Sequence, residues 1–377
     1  MKSISAIVFA VAGALGGVSA NAAYQITSIT MTDLGTLGGN QAMAHDINDA
    51  GHIVGMAHNS VSKPRAFFYA NGVMTDLQPA GGFSREARGI NNSDQVVGWW
   101  TDPTGPHAFL WQGGTFVPLE EGSLPPGPPF FLYSQSRAYA IADNGRIVGQ
   151  RTYVDVDDIP KDAATMWTDV SSPFLLDPQG LADDFASYVA DVDELGRAVG
   201  WNAFGPVDWL WNYFGPPPVG KHVAPPLPLA NYTHVSTDPR GVHETGGVVG
   251  SMTFFNNADP DVTIRRAFRW NGSAFNSSLL GVLPGGTRSE AEDVNSQRFT
   301  VGWSNFQVQP PLKLLSNAGF IHHTDFGMVA LPRTGFSACY ARALNERDHG
   351  GYIHVVGYCT GHQGNRAIRW NVRVSNN

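Results

Sequence analysis

A valine-glycine pair recurs along almost the whole chain and marks an internal repeat. Its glycines are Gly55, Gly98, Gly149, Gly200, Gly250, Gly302 and Gly357, at spacings of 43, 51, 51, 50, 52 and 55 residues. A fixed period of this length is typical of repeat architectures, in which each unit buries its apolar surface against its neighbours. The period therefore constrains the fold more than any single motif does.

Each repeat contains the signals of four short strands. Ala44 to Ile47 precedes the turn Asn48 to Gly51, and the first Val-Gly pair follows directly. A third segment ends in an aromatic or imidazole ring, and a short fourth segment such as Val73 to Leu77 follows. The rings that end the third segments are Tyr69, Trp111, Trp167, Trp211, Trp270, His322 and Trp370. Four short strands joined by Gly, Asn and Pro turns predict one propeller blade per repeat.

The ends of the chain predict how the blades close into a ring. The last repeat stops soon after its third strand, whereas Met31-Thr32-Asp33-Leu34, ahead of the first complete repeat, is identical to Met74-Thr75-Asp76-Leu77. We therefore expect an all-β, seven-bladed β-propeller with four strands per blade, in which the N-terminal strand completes the last blade. Such closure removes exposed sheet edges. A β-solenoid or an open stack is the rival architecture, and units with four strands fit it badly.

The N-terminus predicts export. Lys2 precedes an apolar run from Ile4 to Val18, and small residues follow at Ala20-Asn21-Ala22. This is the pattern of a signal peptide, so residues 1–22 are expected to be removed and residues 23–377 to form a single propeller domain. No later segment reaches the length of about 20 apolar residues that a membrane helix needs. We expect a secreted protein, extracellular or periplasmic, that is not held in a membrane.

Charge and motif content exclude several function classes. The net charge of −8, without a block of like charges, does not favour nucleic acid as a partner. The chain has no Gly-x-Ser-x-Gly elbow, phosphate loop or His-Glu-x-x-His motif. We therefore expect no cofactor and no metal ion, and we expect a monomer.

The two cysteines, Cys339 and Cys359, predict one disulfide. The turn of the last repeat is longer than the others, and a register that pairs Leu344 with His354 places Cys339 directly opposite Cys359. Outside the cytoplasm such a pair is expected to be oxidised.

A His-Ala-Phe triplet at His107-Ala108-Phe109 has degenerate copies at Arg65-Ala66-Phe67, Arg266-Ala267-Phe268 and Arg366-Ala367-Ile368. With the run from Asp33 to Gly39, these triplets resemble the HAF-repeat family of extracellular, mostly bacterial, repeat proteins. The resemblance spans essentially the whole mature chain. It implies a secreted propeller-like protein and supplies no catalytic residues.

Loop lengths suggest where a ligand would bind. The connections between second and third strands vary most, as in Met56 to Lys63 and Ser251 to Ile264, and variable loops on a rigid frame mark a binding face. Polar residues that lead into the innermost strands are expected at the channel mouth on that face. These candidate ligand-binding residues are Arg85, Glu86, Arg137, Tyr188, Arg288 and Glu290. Solvated loop charges, or ion pairs between blades, are the alternative interpretation.

An aromatic residue directly follows the repeat glycine at Trp99, Trp201, Trp303 and Tyr358. A platform for stacking sugars is one interpretation of this column. A periodic aromatic residue in a strand is more typical of packing between blades, and we expect that role here.

Two functions from different classes remain. The first is a binding or scaffold module for an extracellular glycan, wall polymer or protein. The second is a polysaccharide-active enzyme at the channel mouth. A glycosidase would need two converging carboxylates, for which Glu86 and Glu290 are candidates. A lyase would need a base and a cation, for which Tyr188, His234 and Arg288 are candidates. We favour binding, because no motif demands catalysis.

Overall fold

The structure is a computed structural model of the full chain. It describes residues 4–6, 23–77, 84–121, 131–154, 159–176, 186–202, 208–212, 219–222, 229–245, 247–271, 277–308, 315–346, 348 and 350–376. Most of the predicted signal peptide lies outside the described residues.

Six antiparallel sheets each consist of four strands that are consecutive in sequence. The first three sheets comprise β3 (Gly38–Ile47), β4 (Ile53–Asn59), β5 (Pro64–Ala70) and β6 (Val73–Asp76); β7 (Ser84–Ile90), β8 (Val96–Asp102), β9 (Gly105–Gln112) and β10 (Thr115–Pro118); and β11 (Phe131–Ile141), β12 (Ile147–Val154), β13 (Pro160–Trp167) and β14 (Pro173–Leu175). The next three comprise β15 (Ser187–Val192), β16 (Arg197–Asn202), β17 (Asp208–Asn212) and β18 (Val219–His222); β19 (Tyr232–His243), β20 (Gly247–Asn256), β21 (Asp259–Trp270) and β22 (Ser277–Gly281); and β23 (Ser289–Val294), β24 (Thr300–Gln307), β25 (Leu315–His323) and β26 (Gly327–Ala330).

The remaining sheet joins the two ends of the chain. It contains β1 (Ile4–Ala6), β2 (Tyr24–Asp33), β27 (Ala338–Leu344), β28 (Tyr352–Gly361) and β29 (Gly364–Asn376), in the order β1-β2-β29-β28-β27. Met31 lies opposite Trp370, so the predicted pairing of the N-terminal strand with the last repeat is confirmed.

The first strand of each sheet contacts the first strand of the next, and β27 contacts β3. This arrangement is an all-β β-propeller, and the predicted class is confirmed. The expectation of seven four-stranded blades is wrong in detail, because six sheets have four strands and the sheet at the chain ends has five. The extra strand is β1, which pairs with the outer edge of β2 and satisfies backbone groups that an edge strand leaves open.

A β-bulge interrupts the innermost strand of every sheet. The pairing of β3 with β4 shifts between Ala44 and Asp46, which leaves His45 as the extra residue. The same shift makes Arg88, Tyr139, Ala190, Arg240, Glu292 and Arg342 the extra residues of the other innermost strands. A bulge bends its strand and changes the direction in which the neighbouring side chains point.

The bulge explains the repeat glycine. A Cβ built on Gly149 would lie closer than 3.0 Å to the carbonyl oxygen of Arg137, a separation that real Cβ atoms essentially never show. The same clash with an innermost-strand carbonyl arises at Gly55, Gly98, Gly200, Gly250, Gly302 and Gly357. Only glycine lets the second strand approach the bulged strand this closely.

The core consists of layers between neighbouring sheets. Ala66 and Val54 pack in one cluster with Ala87, Val96 and Phe109 of the next sheet. Both faces of a blade are covered by its neighbours. Ala108 and Phe109 of the His-Ala-Phe triplet point to opposite faces of their strand, and both are fully buried. Ala108 and Phe109 therefore serve packing, whereas His107 contacts the carboxylates of Asp102 and Glu121.

Hydrogen bonds link the turns between first and second strands, each turn to that of the next repeat. The backbone N–H of Asp49 donates to Asn92 Oδ1 at 2.9 Å, and that of Asn92 donates to Asp143 Oδ1 at 2.6 Å. Asp143 N–H donates to Glu194 Oε1 at 2.8 Å. The bond that links the two ends of the chain runs from Glu346 N–H to Asp49 Oδ1 at 2.9 Å.

Cys339 and Cys359 form a disulfide, and they lie directly opposite one another on β27 and β28. The predicted pair is confirmed, although the assumed register near the turn is wrong by one residue: Leu344 pairs with Val355, not with His354. The bulge at Arg342 shifts the pairing by one residue. The predicted register therefore holds on the cysteine side of the bulge and not on the side of the turn.

The variable connections are shorter than predicted, because the strands extend into them. The segment from Ser251 to Ile264 is a long hairpin in which β20 ends at Asn256 and β21 begins at Asp259. Hydrogen-bonded hairpins rather than loops thus form part of the predicted binding face.

Candidate functional site

The bulges line the central channel. One cavity is bordered by residues from several bulges. Two consecutive residues border it at some of them, for example His45 with Asp46 and Glu292 with Asp293. We call the extra residues of the innermost strands the bulge ring: His45, Arg88, Tyr139, Ala190, Arg240, Glu292 and Arg342.

Three aspartates line the channel and bridge neighbouring sheets. Asp46, Asp191 and Asp293 each accept a hydrogen bond from the next residue's N–H at 2.7 to 2.8 Å. The second oxygen of each accepts from the following sheet, as Asp191 Oδ2 does from Val242 N–H at 2.9 Å. In the same way, the backbone N–H of Ile90 donates to Asp46 Oδ2, and that of Leu344 donates to Asp293 Oδ2.

The surrounding protein disfavours charge on these three carboxyls, although their side chains keep some surface toward the channel. Burial raises the pKa of Asp46 to about 7 and the pKa of Asp293 to about 7. Burial, followed by the charge of Asp293, raises the pKa of Asp191 to about 8. The channel wall therefore holds three carboxyls that gain or lose protons near neutral pH.

The arginines of the bulge ring are ion-paired within the channel. Arg88 lies 3.0 Å from Glu86, Arg240 lies 2.7 Å from Asp238, and Arg342 lies 2.8 Å from Glu292. His45 Nε2 lies 3.0 Å from Glu86 Oε1. Burial, and then the charge of Arg88, lower the pKa of His45 to about 4, so this imidazole is neutral at pH 7.

Two residues before each bulge, a second layer of side chains points to the same side of the innermost strand as the bulge residues, toward the channel mouth. We call it the rim: Met43, Glu86, Arg137, Tyr188, Asp238, Glu290 and Tyr340. Four of the six predicted ligand-binding residues, Glu86, Arg137, Tyr188 and Glu290, belong to it. The structure thus brings these four to one mouth.

The other two predicted residues lie elsewhere. Arg85 is buried, with its guanidinium 5.5 Å from the centre of the Phe116 ring. Successive residues of a strand point to opposite faces, so Arg85 faces the layer between sheets while Glu86 faces the mouth. Arg288 is exposed ahead of β23, where its backbone N–H donates to Asn305 Oδ1 at 2.8 Å.

Aromatic rings form a continuous arc at the mouth. The ring centroids of Trp99 and Tyr139 are 6.0 Å apart, those of Tyr139 and Tyr188 are 5.4 Å apart, and those of Tyr188 and Trp201 are 6.0 Å apart. We call these four residues the aromatic arc; it crosses three neighbouring sheets. Trp201 is 38% exposed, so the arc packs between sheets and also presents a surface to solvent.

The prediction for the aromatic residues that follow the repeat glycines was therefore incomplete. It assigned Trp99 and Trp201 to packing, and the packing is present, but both also lie at the mouth. The bulge ring was missed. Its sequence signal is the residue ten places before each of the first six repeat glycines, directly after Ala, Val or Pro.

The titratable groups at the mouth shift in different directions: burial raises the pKa of Glu290, whereas at Glu86 the contacts with His45 and Arg88 together outweigh burial and lower the pKa. Burial raises the pKa of Tyr139 and of Tyr188, which makes both phenols poor bases at neutral pH. Glu86 is ion-paired with Arg88, and Glu290 lies 3.0 Å from Arg265. The lyase candidates are not brought together: Tyr188 borders the channel cavity, whereas His234 and Arg288 do not.

Among the described residues, no group of three or more His, Cys, Asp or Glu side chains is placed to hold a metal ion. No helix in the described part of the chain is long and apolar enough to cross a membrane.

Fold and site together define a β-propeller with a polar, aromatic-rimmed central channel. No protein-family model matches the chain, and no curated protein matches it in sequence. The chain is similar in structure to a protein of unknown function from Dyadobacter fermentans, with 12% identity, a TM-score of 0.40, and 94% of this chain and 100% of that chain covered. It is similar to YCF48 from Cyanidioschyzon merolae, with 10% identity, a TM-score of 0.46, and 91% and 98% covered. It is also similar to the polysaccharide lyase Uly1, with 9% identity, a TM-score of 0.44, and 96% and 91% covered.

Proposed function

We propose that this protein is a secreted binding module that holds an extracellular glycan at the channel mouth. The observation that carries the proposal is the aromatic arc, because Trp99, Tyr139, Tyr188 and Trp201 present adjacent rings beside the charged rim. Aromatic faces stack on the apolar faces of sugar rings, and a few polar groups around them fix the orientation of a ligand. Hydroxyl groups of a bound sugar would meet Glu86 and Arg137.

We further propose that the five-stranded sheet acts as a seventh blade and that the ring has seven blades. The contact between β27 and β3 supports this, as does the hydrogen bond from Glu346 to Asp49. Asn295 Nδ2 also donates to the carbonyl of Asn345 at 3.1 Å, which ties the five-stranded sheet to its other neighbour.

The proposal places the protein outside the cytoplasm, as the N-terminal pattern and the resemblance to HAF-repeat proteins imply. The disulfide supports this location, since such bonds persist in oxidising compartments. Binding is favoured over catalysis because the acidic side chains at the mouth are ion-paired and the two tyrosines resist ionisation.

A glycan array probed with the purified mature protein tests the proposal, followed by titration of each bound glycan against variants. Trp201→Ala should weaken binding by about tenfold, equivalent to about 1.4 kcal/mol. Leu195→Ala is the matched control, because Leu195 is also exposed and lies in a turn between first and second strands, away from the arc. Failure to bind any glycan, or equal binding by the Trp201 variant, would contradict the proposal.

A further inference from the structure

One arginine at the mouth differs from the others. Arg88, Arg240, Arg265 and Arg342 each lie within 3.0 Å of a carboxylate oxygen. Arg137 is half-buried on the rim and forms no ion pair with any described residue. Its N–H donors are not taken up by a carboxylate of the described chain, so an acidic group from a ligand could form charge-assisted hydrogen bonds with them.

The position of Arg137 specifies which ligand can provide that group. Arg137 precedes Tyr139 on β11, and the charge of Arg137 acts on the Tyr139 phenol. Tyr139 lies inside the aromatic arc, between Trp99 and Tyr188. A molecule stacked on the arc would therefore carry its substituents past the Arg137 guanidinium.

The neighbouring charges leave this place open to an anion. Glu86, the rim residue on one side, is neutralised by Arg88, and the rim residue on the other side is the phenol Tyr188. The acidic rim residues Asp238 and Glu290 lie farther round the mouth, where Arg265 contacts both. Carboxylate and sulfate groups match the planar fork of a guanidinium.

We propose that the glycan is acidic and that Arg137 binds its carboxylate or sulfate groups while the aromatic arc stacks on its rings. This inference rests on the proposed function and narrows it from glycans in general to acidic ones.

The test is an array of matched oligosaccharides on several backbones, each in a uronate, a sulfated and a neutral form. The uronate forms, the sulfated forms or both should bind at least about tenfold more tightly than the neutral forms. A preference for one of the two acidic forms identifies the acid. Equal or tighter binding of the neutral forms would overturn the inference and leave the proposed function intact, whereas no binding to any form would overturn both.

Variants assign the preference to Arg137. Arg137→Gln should reduce the ratio of acidic to neutral affinity by about tenfold or more, and Arg137→Lys should restore it only in part, because lysine keeps the charge without the fork. Arg288→Gln removes an exposed arginine outside the rim and should leave the ratio unchanged. An unchanged ratio in a folded Arg137→Gln variant, shown by an unaltered melting temperature, would refute the assignment.

Discussion

Gly149 and the carbonyl oxygen of Arg137 are so close that no side chain fits between the two strands. The glycine thus holds the bulge that places Tyr139 in the channel. Any larger residue must push β12 away from β11, which breaks pairing on the innermost strand.

We predict that Gly149→Ala destabilises the protein by about 3 kcal/mol, the upper end of the usual range for overpacking, because the added Cβ meets backbone and not a flexible side chain. Gly114→Ala is the control, because Gly114 has open space but a φ of +88°, so its substitution costs only backbone strain of about 1 to 2 kcal/mol. Urea unfolding of both variants measures the difference. A smaller loss at position 149 than at position 114 would contradict the role given to the glycine.

The disulfide yields a second prediction. Replacing Cys339 and Cys359 by alanine should lower the free energy of unfolding by about 3 kcal/mol, since the bond closes a loop of 20 residues. Thermal melting with and without reductant checks the value. Two titratable thiols in the denatured, unreduced protein would show that the bond does not form.

The three channel aspartates predict a pH dependence. Their folded-state pKa values, about 7, 8 and 7, lie above the unfolded value of about 3.9, so the folded state favours their protonated forms. The stabilisation is complete below pH 4 and is lost as pH rises to about 8.

Asp191→Asn should remove up to about 1.4 kcal/mol per pH unit of that dependence between pH 5 and 8. Unfolding free energies at several pH values measure it, with the exposed Asp261→Asn as control. A wild-type slope retained in the Asp191 variant would mean that this carboxyl stays ionised, held by its two backbone N–H donors.

Closure by β2 depends on Ile29, which is fully buried in a cluster with Trp370 and Val372 of β29. We expect Ile29→Ala to cost about 2 to 5 kcal/mol, the usual range for such a truncation in a core. Val73→Ala, at a position 61% exposed, should cost little. Similar melting temperatures for the two variants would argue that β2 does not help to hold the ring closed.

Export should remove residues 1–22 and β1 with them, so the sheet at the chain ends would have four strands in the mature protein. Intact-mass measurement of the exported protein should find a chain that begins at Ala23. Retention of Met1 would contradict the signal peptide.

The sequence predicted the propeller class, the pairing of the chain ends and the disulfide, because each depends on the repeat and on strand pairing. It did not predict the bulges, although the alternation breaks there: in β15 two half-buried residues, Ala190 and Asp191, stand between the buried Val189 and Val192. Arg85 shows an avoidable error: strand alternation alone separates it from Glu86. The exposure of Trp201 was not predictable, because a column that packs between sheets has the same pattern whether or not one edge reaches solvent.

The chain of hydrogen bonds through Asp49, Asn92, Asp143 and Glu194 has a consequence for how this protein can diverge. In each of these links the following turn supplies the acceptor for its predecessor, so a repeat cannot be added or lost without breaking bonds of its neighbours. The hairpins at the opposite end of the blades differ in length: β8 and β9 have seven and eight residues, whereas β20 and β21 have ten and twelve. Related proteins should therefore keep the residues of these hydrogen bonds while the hairpins at the opposite end change in length, and new ligand specificities can arise on that face without loss of closure.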